Sequence, residues 1–301
     1  MDVDIAVVGS LNHDLTVVAP NLPSPGETVL GSNHYWDNGG KGANQAVASA
    51  RLGANVAMFG RVGDDEHGAS LFDGLTQEGI DTAGVGIDHE KRTGLAVITV
   101  DDEAENTIVV SPGANSALTA DHLKPFRSAI ADAKVLLAQL EVPTEAVARA
   151  VEICQGAICL NPAPAQALPI GLFERIDVLI PNRSELAALA DVAIPTNRDE
   201  TLEAISGLPA TGAVVVTLGS DGAVVVENGK ATSVPAHPVA AIDPTGAGDA
   251  FCGALAFALS RDRDLLEATK WAVAVGALAT TRRGAQTAMP TADEVETFLN
   301  G

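Results

Sequence analysis

Short apolar runs rich in Val, Ile and Ala recur almost from end to end of this chain, and Ala-rich amphipathic segments separate most of them. Ile5-Ala6-Val7-Val8 stops at Gly9. Asn55-Val56-Ala57-Met58-Phe59 follows a helical stretch over 43–52 and is reached through Gly53, a residue suited to the left-handed turn that ends a helix. Residues 135–138, 157–160, 178–180 and 213–217 continue the series. A strand that is apolar on both faces must be covered on both, and helices between successive strands supply those two layers around a parallel sheet. The pattern predicts an α/β fold with a doubly wound, mainly parallel sheet. A length of 301 residues suits one such domain spanning 1–301.

Two regions break the rhythm. Residues 20–35 mix Pro, Gly and polar residues with short extended pieces. Residues 94–110 read as strands over 95–100 and 107–110, joined by the acidic turn 101–106. Both insertions are expected to form a small β-sheet standing off the main sheet. A further hairpin is predicted from 223–226, with Asn228-Gly229 at its turn, a pair that tolerates the positive φ angles such turns need.

The charge balance narrows the partners. Thirty-nine acidic residues against 18 basic ones give a formal net charge of −21, a surface that repels nucleic-acid phosphates and anionic lipid. A nucleotide site on such a chain needs local positive potential from backbone amides, a Lys or a metal ion. Only six Lys residues are present, which fits either a high-salt host or an ordinary acidic enzyme. Cys154, Cys159 and Cys252 form no C-x-x-C pair, and the six His residues show no H-E-x-x-H spacing, so neither a disulfide framework nor a metallohydrolase site is indicated. The start Met1-Asp2-Val3-Asp4 lacks the basic region of a secretory signal, and the apolar stretches over 250–259 and 271–279 are too short to span a bilayer. A cytoplasmic location is expected.

Four constellations carry chemistry. Asp243-Pro244-Thr245-Gly246-Ala247-Gly248-Asp249 leads into an apolar helical segment at 250–259, in which Gly253 is the weak point. Small residues ahead of a helix let amide N–H groups converge on an anion, and the helix dipole adds positive potential. A carboxylate at Asp249 beside that cradle is placed to take a proton from an incoming hydroxyl; as the plainer alternative it only starts the helix. Gly39-Gly40-Lys41-Gly42-Ala43-Asn44-Gln45-Ala46 opens a helix with one Lys among glycines, either a ligand contact or a solvated turn. Asn12-His13-Asp14 follows the first strand, where open α/β sheets bind ligands; its alternative is a turn capped by its own Asx side chains. Asn182 and Glu185, three apart after the strand at 178–180, either order water around Mg²⁺ or cap a helix as N-cap and N3 acid. A dinucleotide fingerprint fails because Gly246-Ala247-Gly248-Asp249-Ala250 runs into Phe251, and a Walker A loop fails because Gly42 follows Lys41.

These motifs stand in one order, N-x-D, GGKGAN, N-x-x-E and DPTGAGD, and in that order the chain resembles the ribokinase, or phosphofructokinase-B, family of carbohydrate kinases over essentially its whole length. The segments at 139–143, 161–165, 217–220 and 283–286 are most similar to members that phosphorylate D-ribose. The resemblance implies ATP and D-ribose as substrates, ribose 5-phosphate as product, and Asp249 as the base acting on the O5 hydroxyl. It further implies an anion hole from the amides of Gly246, Ala247 and Gly248, and sugar contacts from Asn12, Asp14, Gly40, Lys41, Asn44 and Glu141 together with Asp249. Asn182 and Glu185 would serve the nucleotide and its Mg²⁺, while Thr217, Gly219, Ser220, Gly222 and Gly248 would line the nucleotide pocket. A monovalent cation, usually K⁺, would be held by the Asp243 side chain and the carbonyls of Thr245, Ala279, Arg282 and Gly284.

Two positions depart from the family pattern: Val273 replaces a His near the adenine, and Ala288 replaces a Ser at the cation site. The lid is expected from 20–35 and 94–110, and a homodimer through it. Other acceptors within the same chemistry are fructose, 2-deoxyribose, 2-keto-3-deoxygluconate and a nucleoside; the reading from another class is a non-catalytic sugar-binding regulator. The intact Gly246-Ala247-Gly248-Asp249 run speaks against the regulator, and a single Tyr with two Trp leaves little aromatic surface to stack a base.

Overall fold

Every residue of strand β1 (Ile5–Val8) is fully buried, Ile5 and Val7 in one hydrophobic core and Ala6 and Val8 in another. That alternation places β1 at the centre of a sheet covered on both faces. The computed structural model describes residues 2–301 apart from 102, 104, 210 and 211, and of Ile170 the backbone only. The larger sheet has nine strands in the order β13 (Lys230–Val234), β12 (Ala223–Glu227), β11 (Ala213–Thr217), β10 (Val178–Leu179), β9 (Ala157–Leu160), β8 (Val135–Ala138), β1, β4 (Val56–Gly63) and β5 (Asp81–Asp88). It is parallel from β5 to β11 and antiparallel only at the β11-β12-β13 edge.

On one face lie α1 (Lys41–Arg51), α2 (Glu66–Gln77), α8 (Ala247–Ser260), α9 (Leu265–Ala279) and α10 (Ala292–Asn300). The other carries α3 (Arg127–Asp132), α4 (Thr144–Ile153), α5 (Ile170–Phe173), α6 (Arg183–Ala190) and α7 (Arg198–Ser206). Ala supplies much of both cores, so helices approach the sheet and one another closely. Among the described residues no helix is long and apolar enough to cross a membrane. The three cysteines are free and buried.

The doubly wound sheet and the hairpin are as expected; Asn228 and Gly229 adopt φ 50° and 73° at its turn. Strand β5 is not legible in the sequence, because Asp81-Thr82-Ala83-Gly84-Val85-Gly86 has neither an apolar run nor clean alternation. Gly84 is there because a Cβ would stand 2.3 Å from the Phe59 ring on β4.

A second sheet of four strands runs β3 (Asn33–Gly39), β2 (Asn12–Val18), β6 (Gly94–Val100) and β7 (Asn106–Ser111). It corrects the sequence reading of the lid. Residues 94–110 contribute as expected, although Asp102 and Ala104 of their acidic turn lie outside the described residues. The other half comes from the flanks of 20–35, where Pro20, Pro23 and Pro25 have no N–H to give a ladder. Asn12-His13-Asp14 is therefore strand and not an Asx turn, because its backbone pairs with Gly39-Asn38-Asp37 on one side and Gly94-Leu95-Ala96 on the other. The small sheet rests on α2 through a three-ring stack: Trp36 lies 4.9 Å from both His13 and His67, and the two His Nδ1 atoms are 2.6 Å apart.

Helices α1 and α8 cross at Gly253, the apparent weak point of α8. A Cβ there would lie 2.7 Å from Ala48 Cβ and 2.7 Å from the Gln45 carbonyl. Ser49 Oγ, which donates to the Gln45 carbonyl at 2.8 Å, also donates to the Gly253 carbonyl at 3.1 Å. The glycine sets the distance between the helices. Gly253→Ala is expected to introduce strain of about 1–3 kcal/mol, outweighing a helix-propensity gain of roughly 0.5–1 kcal/mol. Thermal unfolding should show a Tm lower by several degrees; a variant as stable as the parent would mean that the crossing can relax.

Candidate active site

The site forms where β1 ends and the chain crosses Gly9-Ser10-Leu11 into the lid strand β2. The start of α1 is pressed against this crossover: a Cβ on Gly42 would stand 2.6 Å from the Ser10 nitrogen, and one on Gly40, at φ 86°, 2.6 Å from the Asn12 nitrogen. Glu141, from the loop after β8, ties the two segments together. Its Oε2 accepts the Ser10 hydroxyl at 2.5 Å and the Lys41 amide at 3.2 Å. Ser10 Oγ and the Ser10 carbonyl accept the Gly42 and Ala43 amides, so protein groups satisfy the first turn of α1.

The first turn of α8 is different. The helix begins at Ala247, earlier than its apolar run, so Gly246 is the N-cap at φ 74° and Asp249 sits in the first turn. The Ala247 amide donates to the Pro244 carbonyl at 3.1 Å. Among the described residues no acceptor meets the amides of Gly246 and Gly248, which stand at a helix N-terminus in the geometry that binds anions. Asp249 is buried, and both its oxygens accept amide protons from α1: Asn44 Nδ2 to Oδ2 at 2.9 Å and Gln45 Nε2 to Oδ1 at 2.9 Å.

The structure thus gathers Asn12, Asp14, Gly40, Lys41, Asn44, Glu141 and Asp249. Asn12 is buried and accepts from Asn115 Nδ2 at 2.8 Å; Asn115 also brackets Leu11 by its amide and carbonyl. Asp14 lies against Gly39, where a Cβ would fall 2.0 Å from Oδ2. Burial first, then the carboxylates of Glu141, Asp37 and Asp249, push Asp14 up to about 7, with Lys41 opposing. For Lys41 burial favours the neutral amine, but Asp249, Glu141 and Glu185 outweigh it and raise its pKa, so the ammonium stays charged. Asp14 Oδ1 and Asn44 Oδ1 are buried without a hydrogen-bond partner, an arrangement that suits a ligand bringing hydroxyl donors.

On the far side of Gly248 lies a cavity of about 560 Å³ lined by Thr217, Gly219, Ser220, Gly222, Gly248 and Val273, with the segment Ala236–Val239, Phe251 and Gly276 closing it. Asn182 and Glu185 are outside its lining and form a reciprocal helix cap, Glu185 N–H to Asn182 Oδ1 and Asn182 N–H to Glu185 Oε2, each 2.8 Å. Asn182 nevertheless bridges Thr217 at the pocket's edge. Burial raises the Glu185 carboxyl against the Asn182 amide and Lys41, with Asp249 adding to the rise, so Glu185 shares a field with the Lys41–Asp249 centre.

The fifth group closes behind the α8 start. Asp243 Oδ1 accepts the Thr245 amide and Oδ2 the Gly284 amide, both at 2.9 Å. The Ile242 and Asp243 amides donate to the Thr280 carbonyl, and the Arg282 amide to the Ala279 carbonyl at 3.4 Å. Asp243, Thr245, Ala279, Arg282 and Gly284 are therefore joined by short links. Ala288 is buried and offers no hydroxyl, while Thr287 Oγ1 donates to the Arg283 carbonyl at 3.0 Å.

Sequence reasoning missed Ser10, Gln45, Asn115, Gln139 and His237. Gln45 stood in plain view beside Asn44, but nothing local says that a helix residue meets a carboxylate 204 positions away. His237 lines the same cavity as Val273, and it packs edge-on against Phe298 at 5.4 Å.

An open α/β sheet with a carboxylate and free amides at one helix N-terminus, between a polar pocket and an apolar-walled cavity, defines a phosphotransferase-like site. Comparison with known proteins makes this specific. The profile of the pfkB family of carbohydrate kinases matches residues 2–292. The ribokinase of Haemophilus influenzae is 38% identical over 300 residues, covering 98% of each chain. The crystal structure of Thermotoga maritima ribokinase, 33% identical, superposes with a TM-score of 0.88 over 99% of this chain and 100% of that one. The Arabidopsis thaliana ribokinase complexed with ribose and ATP, 28% identical, superposes with a TM-score of 0.92 over the whole of both chains. The chain belongs to the pfkB family of carbohydrate kinases.

The raised Asp14 carboxyl gives a signed expectation. Hydroxyl donors favour the ionised form, which predominates only above about pH 7, so sugar affinity should rise with pH through that range. Calorimetric titration of sugar between pH 5.5 and 8.5 checks this. Asp14→Asn should bind weakly and lose the pH dependence; an unchanged slope in that variant would assign the titration to another group.

Proposed function

We propose that this chain transfers the γ-phosphoryl group of ATP to O5 of D-ribose, giving ADP and ribose 5-phosphate. The observation that carries the reading is the place of Asp249: its carboxylate is fixed by two amides at the acceptor pocket, in the same helical turn as Gly248, which lines the cavity of about 560 Å³. In the step, Asp249 takes the proton of the O5 hydroxyl as that oxygen bonds to the γ-phosphorus in line. The bond from that phosphorus to the β–γ bridging oxygen breaks, and its electron pair leaves with ADP. The amides of Gly246 and Gly248, with Ala247 once it exchanges its turn bond, serve the charge on the transferring oxygens. Lys41 is the half-buried cation that faces Asp249, Glu141 and Glu185. Thr217, Gly219, Ser220 and Gly222 hold the nucleotide, with Asn182 at its edge.

Glu185 would hold Mg²⁺ through ordered water; its Oε2 is engaged in the helix cap, which leaves Oε1 for that use. When bound, Mg²⁺ neutralises phosphate charge. K⁺ would be held by Asp243 with the Thr245, Ala279, Arg282 and Gly284 carbonyls, on segments that Asp243 already joins, and would supply positive potential behind the α8 start.

The acceptor pocket supports a small neutral sugar. Asp14, Asp37, Glu141 and Asp249 face one Lys, a field that repels the carboxylate of 2-keto-3-deoxygluconate. Trp36 is already stacked with His13 and His67, so it is not free to hold a nucleoside base. Asn12, Asp14, Gly40, Lys41, Asn44 and Glu141 hold the ribose hydroxyls. A cytoplasmic homodimer is part of the same reading: Ile108, Val109 and Val110 are exposed on the lid's edge strand β7, where a second lid would cover them. Closure of that lid excludes water, which competes with the sugar for the phosphoryl group.

Initial rates of ADP release with Mg·ATP test the reading across D-ribose, 2-deoxyribose, fructose, 2-keto-3-deoxygluconate and adenosine, with and without K⁺. D-ribose should show the highest kcat/KM; preference for another acceptor would overturn the sugar assignment while sparing the kinase. Asp249→Asn should still bind ribose and lose about 10²–10⁴-fold in kcat.

A further inference from the structure

Behind Asp249 runs a chain of buried amides, none of which lines the cavity of about 560 Å³. Gln45 is fully buried. Its Nε2 donates to Asp249 Oδ1 at 2.9 Å and, in a fork, to Asn161 Oδ1 at 3.2 Å, while its Oε1 accepts from Gln139 Nε2 at 2.6 Å. Asn161 is fixed in turn, its Nδ2 donating to the Ile180 carbonyl at 2.9 Å. Gln139, after β8, is also fully buried, and its own Oε1 is left without a partner beside Gly9, where a Cβ would fall 1.9 Å from it.

The polarity of this chain is forced. An ionised carboxylate only accepts, so Gln45 must present its NH₂ end to Asp249; its oxygen then faces Gln139, which must present its NH₂ end as well. The last oxygen of the chain ends buried and unpaired, an arrangement that packing alone does not explain. Asn44 differs, because its Oδ1 is free for a ligand while its Nδ2 holds Asp249.

We propose that Gln45 is a positioning residue for the base, dedicated to fixing the Asp249 carboxylate through Oδ1, and that Gln139 acts through Gln45 by fixing which end of its amide meets the base. The proposal rests on Asp249 being the base. The relay keeps the carboxylate plane constant through turnover while Asn44 exchanges partners with the sugar.

Gln45→Met, Gln139→Met and the double variant remove the donors at near-constant volume. Ribose affinity by calorimetry, kcat and KM, and thermal unfolding are measured for each. Gln45→Met should bind ribose within about threefold of the parent yet lose about 10–100-fold in kcat, the scale on which misplacement of a catalytic group acts. Gln139→Met should lose less, about 3–10-fold, and the double variant should be no slower than Gln45→Met, because Gln139 has no other route to the base. A residue that only supports packing would lower Tm without splitting kcat from ribose affinity. The proposal falls if folded Gln45→Met keeps kcat within threefold, or if the two single losses multiply in the double variant. If Gln45→Met does not fold, Gln139→Met decides alone: parental kcat overturns the relay. Asp249→Asn, run alongside, separates the two levels. An active Asp249→Asn removes the base itself, whereas an inactive one beside an active Gln45→Met removes only the relay.

Discussion

The amide–carboxylate contacts between α1 and α8 are the constraint on which the rest of the site depends. Asn44 and Gln45, at the start of one helix, hold Asp249 at the start of the other. The helices can meet there only because Gly253 and Ala48 let their backbones close at the crossing one turn further on. The two N-termini are used differently. Ser10 and Glu141 fill the first turn of α1, which makes it a rigid wall. The first turn of α8 keeps the Gly246 and Gly248 amides open to an anion.

Electrostatics set the character of the pocket. A chain with a net charge of −21 concentrates Asp14, Asp37, Glu141 and Asp249 around Lys41, where burial strengthens every pairwise term. A carboxyl pushed up to about 7 by burial and by neighbouring carboxylates is unfavourable when ionised, and a buried acceptor without a partner is unfavourable too. Both are features that a stability-optimised protein would lose and that a polyhydroxylated ligand relieves. The cavity beyond Gly248 differs in character: glycines, small residues, Phe251 and Val273 line it, and no carboxylate or Lys does.

Strand β2 links the small sheet to the loops around the site. Asn12 and Asp14 belong to β2 of the small sheet, yet Asn12 is clamped by Asn115 from the loop after β7 and Asp14 by Gly39 at the end of β3. Both side chains are therefore placed by the small sheet. The His13–Trp36–His67 stack is where the small sheet grips α2 on the main body, with His13 between Asn12 and Asp14 in sequence and facing the other way in the strand.

Apolar periodicity determined the parallel sheet, because a strand buried on two faces has no polar side to show, and glycine-rich helix starts announced both ends of the site. Geometry that is local in sequence was readable: the helix start at Gly246–Asp249, the glycine-flanked Lys41 opening α1, and the Asn182–Glu185 cap for which both readings had been open. Strand β5 escaped because small and charged residues replace the apolar run. The strand character of Asn12–Asp14 escaped because pairing with β3 and β6 outweighs the local turn tendency of Asn and Asp. Tertiary structure alone decided that Gln45 reaches Asp249, that Gln139 reaches Gln45 and that Asn115 reaches Asn12. Each is a hydrogen bond between residues about 94 to 204 positions apart. A sequence records which groups can donate and accept; only the packing of helices on a sheet brings a particular donor to a particular acceptor in a place that water does not reach.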